Sequence, residues 1–340
     1  MPARFEYRVY RAPFRQPLAT AHGIWREREG VIIQLTAEDG RTAHGEIAPL
    51  PAWGSETLDD ALAFCAAAPA LIDEVFVHTI PATRPCCRFA VETAWDALLR
   101  PTAEVPAREL PIAALLPAGA AAIDAAARAA KRGFKVMKWK VGVGAAASEI
   151  ALLPQLLAQL PRGARLRLDA NAAWDVATAR DWFKACEGRP IEFIEQPFPV
   201  GREQPVLQFA HEFSTRIALD ESIAQADDLR RWLDFGWPGL YVIKPALAGS
   251  PRHLLELLHR YEAEAVFSSA FETAVGARAA LLLAARAELH GRAVGFGTIG
   301  CFADERLNLP DPGPTLSTKW LARLAPSPLW EISSQVPRAA

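Results

Sequence analysis

The sequence predicts an α/β protein, a closed barrel of alternating strands and helices of the (β/α)8 type with an α+β domain ahead of it. Three observations lead there. From about Pro111, short apolar runs recur at a step of roughly 23 to 30 residues, with helical stretches between them. The first hundred residues lack that rhythm and alternate apolar with polar side chains. The tail beyond about Cys301 is proline-rich and shows neither pattern.

In the N-terminal part, FEYRVYRAPF and GVIIQLTAEDGRTAHGEIAPL have the near-alternation of half-buried strands. The turn EDGR, with Asp39 and Gly40, lies between two such runs and signals an antiparallel hairpin. SETLDDALAFCAAAPALIDEV opens on a Ser/Thr cap and is expected to run on as a helix. RFAVETAWDALLR carries an apolar stripe and predicts a second helix ending near Arg100.

In the barrel part, PIAALLP, FKVMKWK, ARLRLDA, IEFIEQP, TRIALDE, LYVIKP, EAVFSS and AVGFGT predict eight strands, centred near 114, 137, 167, 193, 218, 242, 266 and 294. AAIDAAARAAKRG, ASEIALLPQLLAQL, VATARDWFKACE and HLLELLHRYEA read as helices between them. No glycine-rich fingerprint follows the first strand, which argues against an open, doubly wound sheet. The tail is expected to return and pack on the N-terminal domain.

Composition narrows the function classes. At 340 residues and 51% hydrophobic content the chain can bury a large core. Its 37 basic and 39 acidic residues leave a formal charge of -2, so no basic field exists to attract nucleic acid or anionic lipid. The run ARAALLLAARAELH is broken by arginines and too short to span a membrane, and MPARFEYRVYRAPF has no apolar signal core. The five cysteines, Cys65, Cys86, Cys87, Cys186 and Cys301, are scattered and form neither a zinc knuckle nor a CxxC motif. Reduced thiols in a soluble, cytoplasmic protein are expected.

The chemistry gathers at the strand ends. Residues two apart on a barrel strand share a face, and catalytic groups of such barrels sit at the C-terminal ends. Lys138 and Lys140 therefore point into the mouth while Trp139 points out to a helix. Two neighbouring ammonium groups repel, so at least one is expected to have a lowered pKa and to accept a proton near neutral pH. The third strand ends in Asp169, inward with Arg167, and Asn171 follows at the rim. The fourth ends in Glu195, the fifth in Asp220 and Glu221, the sixth in Lys244. Any one such acid by itself reads more readily as a helix cap or a solvated strand end. Three in succession, converging in a low-dielectric mouth, need a cation, and hard oxygen ligands select Mg²⁺ or a similar ion such as Mn²⁺. Amines facing each other across that ion suit proton removal next to the carboxylate of a small-molecule substrate.

The ordered set KWK at 138–140, DAN at 169–171, EQP at 195–197, DES at 220–222 and KP at 244–245 resembles the enolase superfamily, in its muconate-lactonizing subgroup. The similarity covers essentially the whole chain. It implies a modified (β/α)7β barrel, residues 106–304, under an α+β capping domain, residues 1–105, completed by the tail 305–340. It further implies that Asp169, Glu195 and Asp220 are metal ligands, that Lys140 is the acid/base, and that Lys244 stands on the opposite face. Lys138 would tune Lys140, and Asn171, Glu221 and Arg167 would brace the ligands from behind.

The capping segments LATAHGIWREREG and GEIAPLPAWGSETL are similar to the corresponding loops of o-succinylbenzoate synthases, through Arg28–Gly30, GE-x-APLP and Gly54-x-Glu56-Thr57. They would bring Thr20, His22, Trp25, Pro51 and Trp53 over the mouth. FSSAFETAVG and GFGT resemble the same group, in which hydroxyls and backbone N–H groups hold a succinyl carboxylate, making Ser268, Ser269, Gly295 and Thr298 the candidates. The implied reaction is β-elimination of water from 2-succinyl-6-hydroxy-2,4-cyclohexadiene-1-carboxylate, a menaquinone-pathway intermediate. An N-succinylamino acid racemase is the alternative, because 1,1-proton transfer uses the same lysines. A dipeptide epimerase would carry Asp-x-Asp near the eighth strand, where this chain has GFGTIGCF. A non-catalytic barrel would have lost a ligand or a lysine, and all are present.

Overall fold

A computed structural model describes residues 2–20, 23–100, 105–287, 289–324 and 328–335, without the side chains of residues 19, 20, 334 and 335. Strand Ala3–Thr20 pairs antiparallel with Gly23–Ala37, in register from Ala3 opposite Ala37 to Pro13 opposite Glu27, then resumes after an irregularity at Leu18 opposite Trp25. Thr42–Ile47 adds to the second strand across the predicted EDGR turn, which Ala37 N–H closes on Arg41 O at 2.9 Å.

Helix Leu58–Ala67 starts where expected. Thr57 caps it, accepting from Asp60 N–H while the Asp60 side chain accepts from Thr57 N–H. The helix does not run on to residue 75. Pro69 disfavours helical backbone at the residue before it, and Ala68 turns out at φ -64° and ψ 138°. Leu71–Ile72 then joins the sheet beside Ala3 and Arg4, and Asp73 caps a separate helix, Glu74–Thr79. The third helix, Pro85–Leu99, buries Phe89, Ala90, Val91, Ala94, Trp95 and Leu98. It ties the sheet to the barrel through Glu92, which accepts from Ser250 Oγ at 2.6 Å, and Asp96, which accepts from Arg286.

Seven parallel strands come next, in sequential order: Ala114–Leu116, Val136–Lys140, Arg165–Asp169, Ile191–Glu195, Ile217–Leu219, Leu240–Ile243 and Ala265–Phe267. Two parallel bridges close the ring, Ile112 to Val294 and Ser268 to Gly295. Val294 N–H donates to Pro111 O at 2.8 Å and Gly295 N–H to Phe267 O at 2.7 Å. The eighth strand is thus reduced to a bridging pair. Helices Ala121–Lys131, Ala146–Leu157, Val176–Cys186, Glu203–Glu212, Ala226–Asp234, Pro251–Arg260 and Ala274–Arg286 succeed the first seven strands. Among the described residues no α-helix comes after the eighth until Thr318, so the barrel has the (β/α)7β form that the resemblance implies rather than the full eightfold repeat of the strand spacing. Glycines and prolines from Gly295 to Pro314 explain the missing helix.

The tail divides. Phe302 bridges Phe14, Trp330 joins Tyr10 and Phe14 in one buried cluster and lies under the Arg8 guanidinium, and Ser334–Gln335 pairs with the first strand, all on the N-terminal sheet. Thr315–Ser317 instead pairs with Glu109–Pro111 at the barrel, and helix Thr318–Arg323 receives two hydrogen bonds from Arg278 of the last barrel helix. The expected return to the N-terminal domain therefore describes only part of the tail.

Candidate active site

The second barrel strand alternates as its sequence requires. Met137 and Trp139 are buried outward, and Trp139 meets Trp182 edge to face at 5.8 Å on the helix Val176–Cys186. Lys138 and Lys140 take the opposite, inward face. Lys138 Nζ lies 2.6 Å from Glu195 Oε1 and 2.9 Å from Asp169 Oδ2. Lys140 sits directly opposite Asp169 in the strand register. Burial acts to lower the Lys138 pKa, but Asp169, Glu195 and Asp220 outweigh it and hold the ammonium above the ordinary lysine range. The lowered amine expected from lysine–lysine repulsion is not found at Lys138, because carboxylates stand closer to it.

Asp169, Glu195 and Asp220 end three neighbouring strands and are 8%, 1% and 4% exposed. Burial, then Asp169, push Glu195 well above the usual carboxylate range, with Lys138 opposing. Lys244 pairs with Asp220. In the ring of eight positions the second and sixth strands are diametrically opposed, so Lys138 and Lys140 face Lys244 across the mouth. Asn171 N–H donates to Asp169 Oδ1 at 3.2 Å, and its amide reaches Glu221 Oε1 at 3.4 Å. Glu221 Oε2 is buried without a hydrogen-bond partner; burial, with Asp220 and Asp169 adding, raises this carboxyl to about 8.

Arg167 shares the inward face with Asp169, yet its guanidinium points to the other end of the barrel. It donates to Glu192 at 2.8 Å and stacks 4.8 Å over Phe193. There it begins a chain through Glu192, Arg292, Glu264 and Arg216. The bracing contact expected of it toward the carboxylates is replaced by this floor network, which lets a nearly inaccessible cation keep a paired anion.

Sequence reasoning passed over two supporting residues. Gln196, fully buried inside EQP, accepts from Asp220 N–H at 2.9 Å and Ser222 N–H at 3.2 Å, and so holds the end of the fifth strand. Glu149 accepts from the N–H groups of Gly142, Val143 and Gly144, shaping the loop after the second strand. The motif EQP contained the first signal; the second needed the folded loop.

Above the mouth, the Trp53 ring lies 3.8 Å from Lys244 Nζ, and Gln225 pins the same loop by donating to Gly54 O at 2.7 Å. Pro51, next to it, is exposed. Arg28 is buried and holds the APLP segment by donating to Ala48 O and Pro49 O, both at 2.6 Å. Trp25 packs edge to face on Phe271 at 6.0 Å. Thr20 contributes strand backbone, but its side chain and all of His22 lie outside the described residues. Ser268 and Gly295 meet at the closing bridge. Ser269 is turned onto Glu272, donating at 2.5 Å, and Thr298 lines a small cavity with both. A cavity of about 450 Å³ lies elsewhere, on the flank by Leu115, Phe134 and Phe296, and none of these candidate residues lines it.

Among the described residues, no three acidic, imidazole or thiol groups are drawn into a closed metal cage; ammonium groups stand between the acids instead. The donor set still suits a hard divalent cation. Three buried carboxylates supply oxygen only, and the Lys138 ammonium, bridging two of them, marks where a cation is stabilised.

A parallel barrel of this form, with acids and amines ringed at its mouth under an antiparallel cap, defines the enolase class of fold. Residues 121–298 match the enolase C-terminal domain-like family and residues 4–97 the MenC N-terminal domain family. The chain is 44% identical over 299 residues to an o-succinylbenzoate synthase of Thermosynechococcus vestitus, covering 86% of this chain and 92% of that protein. It is 31% identical over 354 residues to one from Vibrio cholerae, covering 96% and 98%. The crystal structure of the o-succinylbenzoate synthase from Thermosynechococcus elongatus, solved with Mg in its active site, superposes with a TM-score of 0.82 at 42% identity, over 88% of this chain and 94% of that one. The L-Ala-D/L-Glu epimerase of Bacillus subtilis shares the fold, with a TM-score of 0.80 at 22% identity over 92% and 95%. The chain belongs to the o-succinylbenzoate synthase family of the enolase superfamily.

Proposed function

We propose that this protein eliminates water from 2-succinyl-6-hydroxy-2,4-cyclohexadiene-1-carboxylate to form 2-succinylbenzoate, as a carbon–oxygen lyase. The observation that carries the reading is the placement of Lys138 and Lys140 opposite Lys244 around three buried carboxylates, in a chain of this family.

Asp169, Glu195 and Asp220 would hold Mg²⁺, which when bound supplies Lewis-acid stabilisation of the negative charge that develops on the substrate carboxylate. Lys140 takes the proton from the ring carbon bearing that carboxylate. The C–H electron pair becomes the new ring double bond as the C–O bond to the hydroxyl breaks. The same ammonium returns the proton to the departing oxygen, so water leaves from the face on which the proton was removed. Lys244 places a fixed positive charge on the other face. Lys138 keeps Asp169 and Glu195 in place and partly neutralised. Trp53 and Trp25 would wall the mouth, and Ser268, with N–H groups near Gly295, would receive the succinyl carboxylate. Mn²⁺ suits the same oxygen donors.

The test is incubation of the Mg²⁺-loaded protein with the succinyl-cyclohexadiene acid, monitored by aromatic absorbance, beside deuterium exchange into N-succinylamino acids. Aromatic product at enzymatic rate is expected. Exchange without aromatisation would replace this reading with the racemase one.

A further inference from the structure

Glu46, on the third strand of the cap, is 1% exposed and its carboxylate is saturated by four donors. Oε1 accepts from Tyr10 Oη at 2.6 Å and Thr273 N–H at 3.0 Å. Oε2 accepts from Gly276 N–H at 2.8 Å and from the Thr273 hydroxyl. Three of these donors belong to the first turn of the last barrel helix, Ala274–Arg286, more than 220 residues away in the chain. A carboxylate from one domain thus caps a helix of the other, satisfying its free N–H groups and its positive end.

The backbone is shaped to admit it. A Cβ at Gly276 would lie 2.9 Å from Glu46 Oε2 and 2.8 Å from Glu272 Cβ, and one at Gly30 would lie 2.5 Å from the Tyr10 hydroxyl. Gly30 belongs to the R-x-G step of the cap and stands opposite Tyr10 in the strand register.

What the clamp holds is the wall of the mouth. The segment immediately before the helix, Ser268–Thr273, folds on Glu272, which accepts from Ser269 Oγ at 2.5 Å and Ala270 N–H at 2.9 Å. Phe271, at φ +59°, is set edge on between Phe14 and Trp25 of the cap hairpin, each at 6.0 Å. A left-handed backbone at a bulky residue persists only where its surroundings impose it.

We propose that Glu46 is a positioning residue for substrate capture: by clamping the first turn of the last barrel helix to the cap, it fixes Ser268–Phe271 and Trp25 as one wall of the site. It touches neither substrate nor metal and acts through that wall. The inference rests on the proposed reaction for its kinetic arm alone.

Glu46→Gln keeps the size but presents an amide N–H to donors, leaving at least one of them unsatisfied. The expected result is a KM for the succinyl-cyclohexadiene acid raised about 10-fold or more with kcat within about 3-fold, since a displaced wall weakens binding rather than proton transfer. In parallel, amide hydrogen exchange should accelerate in residues 23–30 and 268–276 and stay unchanged in barrel strands 165–169 and 191–195. Thr273→Val, which removes the hydroxyl arm together with the long cap bond that this hydroxyl accepts from Val275 N–H at 3.4 Å, should show the same pattern more weakly and serves if Glu46→Gln fails to fold. A lowered Tm with unchanged KM and unchanged exchange in both segments would reduce Glu46 to a structural residue and overturn the proposal. An inactive wild type would refute the reaction while the exchange measurement still decided the clamp.

Discussion

The ammonium of Lys244, at the end of the sixth barrel strand, lies 3.8 Å from the centre of the Trp53 ring on the cap. A catalytic candidate of the barrel is thereby roofed by a residue more than 190 positions earlier. Cation–π attraction and exclusion of water both act on this ammonium. Trp53→Ala should lower kcat/KM about 10-fold, roughly 1.4 kcal/mol, and Trp53→Phe should recover part of it. Steady-state kinetics check this; equal values for both variants and the wild type would remove Trp53 from the site.

Lys138 compensates two buried acids, so its loss should matter most without metal. Lys138→Met is expected to destabilise the metal-free protein by about 3 kcal/mol, because a buried ion pair broken on one side leaves charge uncompensated. Added Mg²⁺ should restore more of the melting temperature in this variant than in the wild type. Thermal melts across a MgCl2 titration that reaches saturation measure the difference. Equal responses would show that Lys138 and the ion do not share the carboxylates.

Glu195→Gln removes one anionic oxygen donor from the proposed ligand set. Calorimetry should show Mg²⁺ affinity weakened by about 100-fold or more. Unchanged affinity would move the ion elsewhere.

Lys140→Ala should reduce turnover by about 10³-fold or more while Mg²⁺ affinity is retained, the signature of a lost proton carrier rather than a lost ligand. Turnover near the wild-type rate would assign the proton transfer to another group.

Under the barrel, hydrogen bonds from Arg216, joined by Arg292, hold the Glu264 carboxyl down at about 2. A depressed folded-state pKa contributes stability that is complete above the ordinary glutamate value and is lost as pH falls toward the folded one. The wild type should therefore lose this contribution between about pH 5 and pH 2, and Glu264→Gln should flatten that limb of the stability curve. The group is a third exposed, so the difference is expected to be about 1 kcal/mol or less. Denaturant midpoints at pH 7 and pH 4 measure it; parallel curves would discount the network.

Much of the site was legible because barrel strands are short and regular. Asp169, Glu195 and Lys140 end strands, Asp220 and Lys244 directly follow theirs, and Lys138 lies two residues before Lys140 on the same face, where period-2 alternation sends it inward. Arg167 obeys the same alternation and still goes elsewhere, since a long side chain two residues deeper reaches Glu192 at the floor before it reaches the mouth. The helix over residues 58–67 is legible from its cap, whereas its end is set by Pro69 acting on the residue before it, against an otherwise helical pattern. The absence of an eighth barrel helix is legible in the proline-rich tail beyond Cys301, which breaks the repeat, and agrees with the (β/α)7β form that the resemblance implies.

By itself, the amino-acid order determined the repeating strands and helices, the acids and amines at their ends, and the cap with its hairpin. These arise from local periodicity, which a chain expresses over a dozen residues. Only the tertiary structure decided that Lys138 bridges Asp169 and Glu195, that Trp53 covers Lys244, that Gln196 carries the Asp220 backbone, and that Glu46 caps a helix begun at Ala274. Such contacts depend on how two independently patterned domains pack, and the distances that select them appear only once both are in place.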